Sequence, residues 1–451
     1  MKNSLSEIRT IQEAARQIKV IRDADVVVVG GGPAGYAAAV AAARDGADTV
    51  LVERYGHLGG MATGGLVMIF MPMSDGTPEQ QIVGLCQETI DRLDARGAAI
   101  HPRKEDLGSN DKQLVSNWKR YAFGVVDGKV RMSVTVDPEE LKCVINDMVE
   151  QAGVKTYLHS WAAGTVVEDN TIRGVIIESK SGRQAILGKV VIDATGDGDI
   201  FASAGASFEM QMDPQRRSSH LALTFRIGDV DPQKYYSFKE DQRERYTELL
   251  HELEGLGGFT QYIRTTRDDI IWVNNSIPGL NPLDVNDLSS LEVSGRKSMR
   301  LTLEFLQKHM PGFANSYILD SASQIGVRSS RRLIGEYIVT EKDLLSGTLF
   351  PDTIAICPDF RHTFSTEFPH WHVPYRALVP RDLDGLLVAG RCCSADLTAN
   401  DWLAPVQICV AQGQAAGTAA ALAVKNNVNV RMLSYKVLQN RLKRQGVPLP
   451  F

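Results

Sequence analysis

Long apolar runs, paired cysteines and an excess of positive charge are all missing from this chain of 451 residues. No stretch approaches the roughly 18 consecutive apolar residues of a transmembrane helix, so we expect no membrane span. The charged N-terminal stretch lacks the apolar segment of a secretory signal, which favours a cytoplasmic location. The net charge of −5 argues against nucleic acid as a partner. The six cysteines form no C-x-x-C pair, so neither a metal site nor a secreted disulfide framework is expected.

What the chain does contain is typical of a large α/β enzyme. Its residues are 43% apolar and 23% charged, which supports a sizeable core and excludes predominant disorder. The pattern of residues 1–23 predicts an amphipathic helix, and residues 162–187 predict a small antiparallel meander. Short apolar runs predict strands buried in a parallel sheet, at residues 25–29, 49–52, 189–193 and 385–390.

A glycine-rich turn follows the first predicted strand. Gly30, Gly32 and Gly35 fit the G-x-G-x-x-G pattern between a strand and an alanine-rich helix, and Glu53 ends the next strand about 20 residues later. Such a turn brings the backbone and the positive end of the helix dipole close to a pyrophosphate, and the acid accepts hydrogen bonds from an adenosine ribose. The pattern therefore predicts a dinucleotide site, with a ligand-free β–α turn as the alternative.

Two later glycine-rich segments bear on which dinucleotide binds. Residues 194–199 read ATGDGD and residues 386–391 read LLVAGR, and both follow predicted buried strands. A nicotinamide dinucleotide needs one Rossmann unit, whereas a flavin lying extended across a sheet touches several loops. The extra loops therefore favour FAD, and Glu53 disfavours an adenosine that carries a 2′-phosphate.

A series of further motifs follows along most of the chain. GGGPAG, ER-x-G-x-LGGMAT, DATGDGD, GVRSSRRLIGEY, VPYRALVP, LLVAGRCCSA and GQAAGTAAALA occur in that order. In this the chain resembles the bacterial FAD-dependent oxidoreductases, relatives of the fumarate-reductase flavoproteins with the FAD fold of glutathione reductase. The resemblance implies an α/β fold, a Rossmann-type FAD-binding lobe of parallel sheet plus antiparallel meander with an inserted α+β cap or substrate domain.

The expected domain organisation is discontinuous. The FAD-binding lobe is predicted from three separated segments, 1–74, 136–206 and 321–451. Residues 75–135 form an insertion or cap segment, and residues 207–320 form the cap or substrate domain.

The resemblance also implies which residues hold the cofactor. The implied pyrophosphate loop is Gly30, Gly32, Pro33, Ala34 and Gly35, with Glu53 at the ribose and Arg54 beside the adenine. The segment running towards the isoalloxazine is Gly59, Gly60, Met61, Ala62 and Thr63. The second FAD loop is Ala194, Thr195, Gly196 and one of Asp197 or Asp199. Gly390 and Arg391 form the ribityl-contacting turn, and the helix starting near Pro405 points its N-terminus at the flavin.

Departures from the family pattern exclude some of the reactions that relatives catalyse. Disulfide reductases of this fold carry a redox C-x4-C soon after the glycine pair, and Met61 and Ala62 stand here instead, which excludes dithiol chemistry. Leu397, Ala404 and Gln407 replace the histidine, arginine and proline of many relatives, so a fumarate-reductase catalytic arginine is not expected. No second G-x-G-x-x-G has a β–α–β context, so no dedicated NAD(P)H domain is predicted.

Candidates for the substrate-side chemistry cluster in residues 361–376. Histidine suits proton transfer near neutral pH, and the planar fork of arginine suits an anionic or carbonyl oxygen. The predicted catalytic residues are His372, Arg376, Tyr375 and His362, in that order. A polar, aromatic surface loop explains the same residues equally well.

These observations predict an FAD-dependent oxidoreductase, a dehydrogenase or reductase. It would transfer hydride between flavin N5 and a CH–CH or CH–OH centre of a small polar molecule. The alternatives are a flavin monooxygenase, an FAD-binding RNA-modifying protein or an electron-relay subunit. The expected partners are a small-molecule substrate and an electron acceptor of unspecified chemistry, and self-association is compatible with the composition.

Overall fold

The structure is a computed structural model that describes residues 11–359 and 370–450. The α-helices in this part of the chain are α1 (Pro33–Arg44), α2 (Gly84–Asp94), α3 (Lys112–Trp118), α4 (Pro138–Gln151), α5 (Asp199–Ser203), α6 (Pro232–Asp241), α7 (Arg243–Gly255), α8 (Val285–His309), α9 (Glu341–Leu345), α10 (Leu397–Leu403), α11 (Val406–Asn426) and α12 (Tyr435–Arg444). The strands are β1 (Lys19–Val29), β2 (Thr49–Val52), β3 (Ile69–Phe70), β4 (Ala99–Ile100), β5 (Val125–Val126), β6 (Lys129–Val130), β7 (Val134–Val136), β8 (Lys155–Tyr157), β9 (Trp161–Glu168), β10 (Thr171–Ser179), β11 (Gly182–Asp193), β12 (Phe208–Glu209), β13 (Leu221–Ala222), β14 (Phe225–Gly228), β15 (Gln261–Arg264), β16 (Ile271–Asn274), β17 (Tyr317–Ser321), β18 (Gly326–Val327), β19 (Arg332–Leu333), β20 (Thr353–Pro358), β21 (His370–Pro374) and β22 (Leu386–Val388).

A seven-stranded sheet carries the first glycine loop. Its order is β8-β2-β1-β11-β10-β9, with β22 paired to β11. The valines of β1 are buried, and β1 runs parallel to both β2 and β11, as a β-branched run without polar alternation predicts. The predicted α/β fold with a parallel sheet and an antiparallel meander is confirmed.

Strand β11 joins the two parts of this sheet. The sequence predicts the end of the meander at residue 187 and a separate strand at 189–193, but one strand covers both. Its first half pairs antiparallel with β10, and its last three residues pair parallel with β22. A single long strand therefore ties the meander to the Rossmann core.

The predicted N-terminal helix is wrong in its described part. Residues 11–18 have no regular secondary structure and are mostly exposed, and β1 begins at Lys19. The start of β1 pairs with the long β11, Lys19 opposite Gln184. Tertiary pairing with a neighbouring strand overrides the helical periodicity of this segment.

Helices α1 and α11 form the layer behind the sheet. They approach so closely that a Cβ at Gly413 would lie 2.0 Å from the Ala34 carbonyl oxygen, and one at Gly417 would lie 2.0 Å from that of Ala38. Small residues on both helices allow this contact, and it sets where α11 begins relative to the glycine loop. Within residues 11–359 and 370–450, no helix combines the length and apolar character needed to span a membrane.

A second sheet lies in the segment predicted to form the cap. Its order is β15-β16-β14-β17. One face packs on α6, α7 and α8 through a buried cluster that includes Tyr235, Leu249 and Phe305. Trp272 and Asn274 of β16 alternate with the core residue Val273, so their side chains lie on the opposite face.

Candidate functional site

A cavity of about 1100 Å³ lies between the loops of the seven-stranded sheet and the second sheet. Loops that follow β1, β2, β11 and β22 contribute to its lining, and so does the start of α11. Most of the predicted cofactor residues line it: Gly30, Gly32, Pro33, Ala34, Glu53, Arg54, Gly60, Met61, Ala194, Thr195, Gly196, Asp197, Asp199, Gly390, Arg391 and Pro405.

Glycine stands at each of three positions of the first loop for a different structural reason. Gly30 has a φ of +95°, and a Cβ there would lie 2.5 Å from the Ala194 carbonyl oxygen. A Cβ at Gly35 would lie 1.6 Å from the Gly30 carbonyl oxygen. At Gly32 the nearest protein atom to a Cβ is the Gly60 Cα, 3.9 Å away. Gly30 and Gly35 are thus required by the fold itself, whereas Gly32 leaves open space beside the cavity.

Four predicted cofactor residues do not appear in the lining: Gly35, Gly59, Ala62 and Thr63. Instead, three of them hold the second glycine pair in place. The Gly59 N–H donates to the Gly31 carbonyl at 2.8 Å, the Ala62 N–H to the Gly59 carbonyl at 3.0 Å, and the Thr63 hydroxyl to the Leu58 carbonyl at 2.7 Å. These residues position Gly60 and Met61, which do reach the cavity.

Glu53 connects the end of β2 to the first glycine loop. Its side chain is buried, and its carboxylate accepts hydrogen bonds from the N–H groups of Gly31 at 2.6 Å and Tyr55 at 2.8 Å. A carboxylate has further lone pairs, so it can still accept from a hydroxyl in the cavity.

Arg54, the next residue, lies between two aromatic rings. Its guanidinium carbon is 5.0 Å from the ring centroid of Tyr55 and 5.1 Å from that of Trp161. Trp161 also lines the cavity, yet sequence reasoning did not single it out. It starts β9, and no local motif marks it. It comes near Arg54 because β8 pairs with β2 and the Ser160 N–H donates to the Glu53 carbonyl at 3.0 Å, which are long-range contacts.

The second loop and the last one meet through a buried ion pair. Arg391 donates from Nη1 to Asp197 Oδ1 at 2.8 Å, and the Ser330 hydroxyl donates to the same oxygen at 2.7 Å. Burial alone would raise the pKa of Asp197, but the Arg391 guanidinium and these hydrogen bonds lower it below its ordinary value. The structure therefore brings together Asp197 and Arg391, two residues that were predicted on separate loops.

Asp199 and Asp193 complete this region. Asp199 accepts from Arg331 Nη1 at 3.0 Å, while burial and the neighbouring Asp197 raise the pKa of Asp199. Asp193, which sequence reasoning missed, accepts from the backbone N–H groups of Thr195, Ile200 and Phe201. Burial raises the pKa of Asp193 to about 6. Its contacts shape the loop and the start of α5, so it acts on the site through the backbone.

The three predicted catalytic residues that the structure describes lie outside this lining. None of His372, Tyr375 and Arg376 appears in the lining of the cavity, and His362 lies outside the described residues. The Tyr375 hydroxyl donates to the Val430 carbonyl at 2.9 Å. Arg376 donates from Nε and Nη2 to the buried Asp352 at 3.0 and 3.1 Å. The Arg376–Asp352 contact joins the two ends of the β20–β21 pair, and the Tyr375 contact ties that pair to Val430. The catalytic role of these residues stays a prediction.

His372 is the buried imidazole of this group. It lies on β21 opposite Ile356, and burial, with the nearby His370, lowers the pKa of His372 to about 4. The ring is therefore neutral near pH 7, and an imidazole with so low a pKa is a weak general base there.

This pKa predicts how stability depends on pH. The unfolded chain binds a proton at His372 near pH 6.5, whereas the folded chain resists it down to about pH 4, so stability is lost as the pH falls through that window. The full loss is roughly 3 kcal/mol. Urea unfolding at pH 5 and at pH 7.5 should show a smaller difference for His372→Gln than for the wild type. An equal difference in both proteins would contradict this account of His372.

Comparisons with known proteins show the family of this chain. The model of the FAD dependent oxidoreductase family matches residues 25–442. Mitochondrial dihydrolipoyl dehydrogenase from Caenorhabditis elegans is 53% identical over 49 residues, 11% of this chain and 10% of that protein. Dihydrolipoyl dehydrogenase from Buchnera aphidicola is 32% identical over 97 residues, 21% of this chain and 18% of that protein. The chain thus spans less than a fifth of either relative.

Solved structures resemble the chain over most of its length. A geranylgeranyl bacteriochlorophyll reductase-like protein from Thermoplasma acidophilum is 14% identical, with a TM-score of 0.45. The match covers 94% of this chain and 83% of the Thermoplasma chain. The p-nitrophenol 4-monooxygenase of Pseudomonas putida is 14% identical, with a TM-score of 0.47. The match covers 93% of this chain and 84% of the monooxygenase chain.

Proposed function

Because the chain belongs to the FAD-dependent oxidoreductase family, we propose that its cavity holds FAD and serves hydride transfer with a small-molecule substrate. The reacting centre of the substrate would be CH–CH or CH–OH. When bound, FAD supplies a hydride acceptor or donor at N5. The narrower likeness to the fumarate-reductase flavoproteins stays a prediction.

One observation carries the proposal: a single cavity collects residues from the separated segments that the resemblance assigns to FAD. Gly32, Glu53, Asp197 and Arg391 line the same space although they lie far apart in the chain. At Gly32 the protein leaves room beside the cavity, as close approach of a pyrophosphate requires. The residues present therefore fit FAD.

Each segment has a distinct task in this proposal. The free N–H groups at the start of α1, with the helix dipole, bind the pyrophosphate. Glu53 accepts from the ribose hydroxyls, and Arg54 lies beside the adenine. Gly390, whose φ of +97° suits glycine, brings the backbone and Arg391 to the ribityl chain.

Helix α11 contributes electrostatics at the reacting end. Pro405 is its N-cap, and both Val406 and Cys409 line the cavity. The first N–H groups of a helix and its dipole stabilise negative charge, so this terminus favours the reduced, anionic state of a flavin. Burial raises the pKa of the Cys409 thiol to about 12, which keeps it uncharged there.

A proton must move together with the hydride, and Asp401 is our candidate for that step. It lies on α10, immediately before α11, and it lines the cavity. Asp396, by contrast, caps α10 by accepting from the Ala399 N–H at 2.7 Å. Losing a general acid or base costs about 10² to 10⁴ in rate.

The test combines flavin identity with reduction kinetics. Purified protein should release FAD rather than FMN on denaturation. Anaerobic mixing with a panel of hydroxy acids and saturated acids, which can each donate a hydride, should bleach the flavin with one member. Colourless protein that FAD cannot reconstitute would refute the proposal, and fast bleaching by NADH or NADPH would favour the monooxygenase alternative instead.

Variants then separate the two candidate sites for the proton. With the bleaching substrate, we expect Asp401→Asn to slow flavin reduction by about 10² or more. We expect His372→Ala to keep the wild-type rate, because His372 does not line the cavity. Slow reduction in His372→Ala with normal FAD content would instead support the residues predicted from the sequence.

A further inference from the structure

The side of the cavity formed by the second sheet and its neighbours carries only positively charged side chains. Within the part of residues 207–330 that lines it, the charged side chains are Arg217, Lys239 and Arg328, and all three are basic. The acidic lining residues Glu53, Asp197 and Asp199 belong to the nucleotide loops, and Asp401 lies beside α11. The half of the cavity beyond the FAD loops therefore favours an anion.

Lys239 is the basic residue of this set that carries the argument. It lies on α6, half-buried, with its Nζ 5.4 Å from the ring centroid of Tyr246. Burial lowers the pKa of Lys239, Arg264 lowers it further, and Glu240 opposes the shift. Among the described residues no carboxylate lies within 4.0 Å of its ammonium. A partly desolvated ammonium without an ion pair is costly, and a bound anion would relieve that cost.

Two buried donors provide an independent sign of a ligand. The side chains of Trp272 and Gln324 are more than nine-tenths buried and line the cavity. In the described part of the chain, neither Trp272 Nε1 nor Gln324 Nε2 has a hydrogen-bond partner. Indole nitrogen only donates, so Trp272 needs an acceptor. Gln324 lies beside Gly64, directly after the segment assigned to the flavin, whereas Trp272 lies on the second sheet, so Trp272 Nε1 is the donor left for a second molecule.

The surroundings of Trp272 are apolar. Ile69, Met71 and Ile263 line the cavity and belong to the apolar surroundings of Trp272. Trp272 itself packs with Met68 and Ile69 in one buried cluster. A ligand here must combine an apolar body with oxygen acceptors.

We propose that the substrate is an apolar organic carboxylate, an amphipathic molecule rather than a uniformly polar one. Lys239 binds its carboxylate, and Trp272 Nε1 donates to an oxygen of the same molecule. This inference rests on the proposed function, since the carboxylate would hold the apolar body against the FAD-binding half of the cavity. Lys239 and Trp272 would set specificity without taking part in the hydride step.

A binding titration on the FAD-loaded protein tests this. The probes are two matched pairs, 2-naphthoate with 2-naphthamide and octanoate with octanamide, followed by the change that each causes in the visible spectrum of the bound flavin. Within at least one pair, we expect the carboxylate to bind on the order of tenfold or more tightly than the amide, as a desolvated charge-assisted hydrogen bond implies.

Variants test whether Lys239 causes the preference for the carboxylate over the amide. Lys239→Met should reduce the ratio of the two affinities to about one, and Lys239→Arg should retain most of it because the charge remains. Lys234→Met is the matched control: Lys234 lies on the same helix, pairs with Asp231 and is largely exposed, so the wild-type ratio should persist. Trp272→Phe should weaken the carboxylate and the amide alike, because each carries a carbonyl-type oxygen.

The outcomes separate this inference from the proposed function. Protein that neither retains nor takes up FAD overturns both. Protein that holds FAD overturns the carboxylate proposal alone if neither pair perturbs the flavin spectrum, if carboxylate and amide bind equally, or if Lys239→Met keeps the wild-type ratio.

Discussion

Gly32→Val should abolish FAD retention in a chain that still folds. Gly32 has an extended backbone, with φ −68° and ψ −170°, which valine readily adopts. A Cβ there meets no protein atom closer than 3.9 Å. The same side chain would stand where the pyrophosphate must approach the backbone, and we expect a loss of FAD affinity on the order of a hundredfold or more. The flavin-to-protein absorbance ratio measures this directly, and thermal unfolding of FAD-free protein shows that the fold survives.

Gly35→Ala is the contrasting variant on the same loop. Its Cβ would lie 1.6 Å from the Gly30 carbonyl oxygen, so the β1 turn and α1 must separate. We expect this smaller substitution to destabilise the FAD-free protein by about 1–3 kcal/mol, as overpacking typically does.

Normal FAD content in Gly32→Val, or unfolding of that variant before FAD is tested, would contradict the assignment of the loop.

The glycine loop could be predicted from sequence because its chemistry is local. Gly30, Gly32 and Gly35 lie within one turn, and the steric reasons for each depend on neighbouring strand and helix positions. The α/β fold was predictable for a similar reason, since runs such as that in β1 report burial on both faces. Over residues 19–23 the predicted N-terminal helix failed because these residues pair with a distant strand, β11.

The substrate side could not be predicted in the same way. The density of histidines around His372 suggested a catalytic loop, yet β21 pairs with β20 and the His372 ring is buried outside the cavity lining. Trp272 and Lys239 lie in no motif. They reach the cavity only through the strand alternation of the second sheet and the position of α6, which are long-range properties of the fold.

Arg391→Met should be the most destabilising single change at the site. The side chains of Arg391 and Asp197 are only 13% and 10% exposed and form an ion pair of 2.8 Å. Removing the guanidinium leaves the Asp197 carboxylate buried with Ser330 as its remaining side-chain donor. Breaking one half of a buried pair typically costs about 3–5 kcal/mol, more than the pair itself contributes. Urea unfolding of FAD-free protein measures this cost apart from any effect on FAD binding.

The pH dependence of that cost identifies its cause. In the wild type the pKa of Asp197 is lowered, so the stability that it contributes is present above its ordinary pKa and is lost as the pH falls. Without Arg391, burial raises the pKa of Asp197, so its contribution is present at low pH and is lost as the pH rises. Arg391→Met should therefore be more destabilising at pH 8 than at pH 5.

A second substitution removes the charge that Arg391→Met leaves unpaired. Asp197→Asn in the Arg391→Met background replaces the carboxylate with a neutral amide that still accepts from Ser330, so most of the lost stability should return. The difference between pH 5 and pH 8 should shrink at the same time. If the double variant is as unstable as Arg391→Met at both pH values, the cost arises from lost packing of the long arginine side chain, and the ion pair does not hold the two loops together.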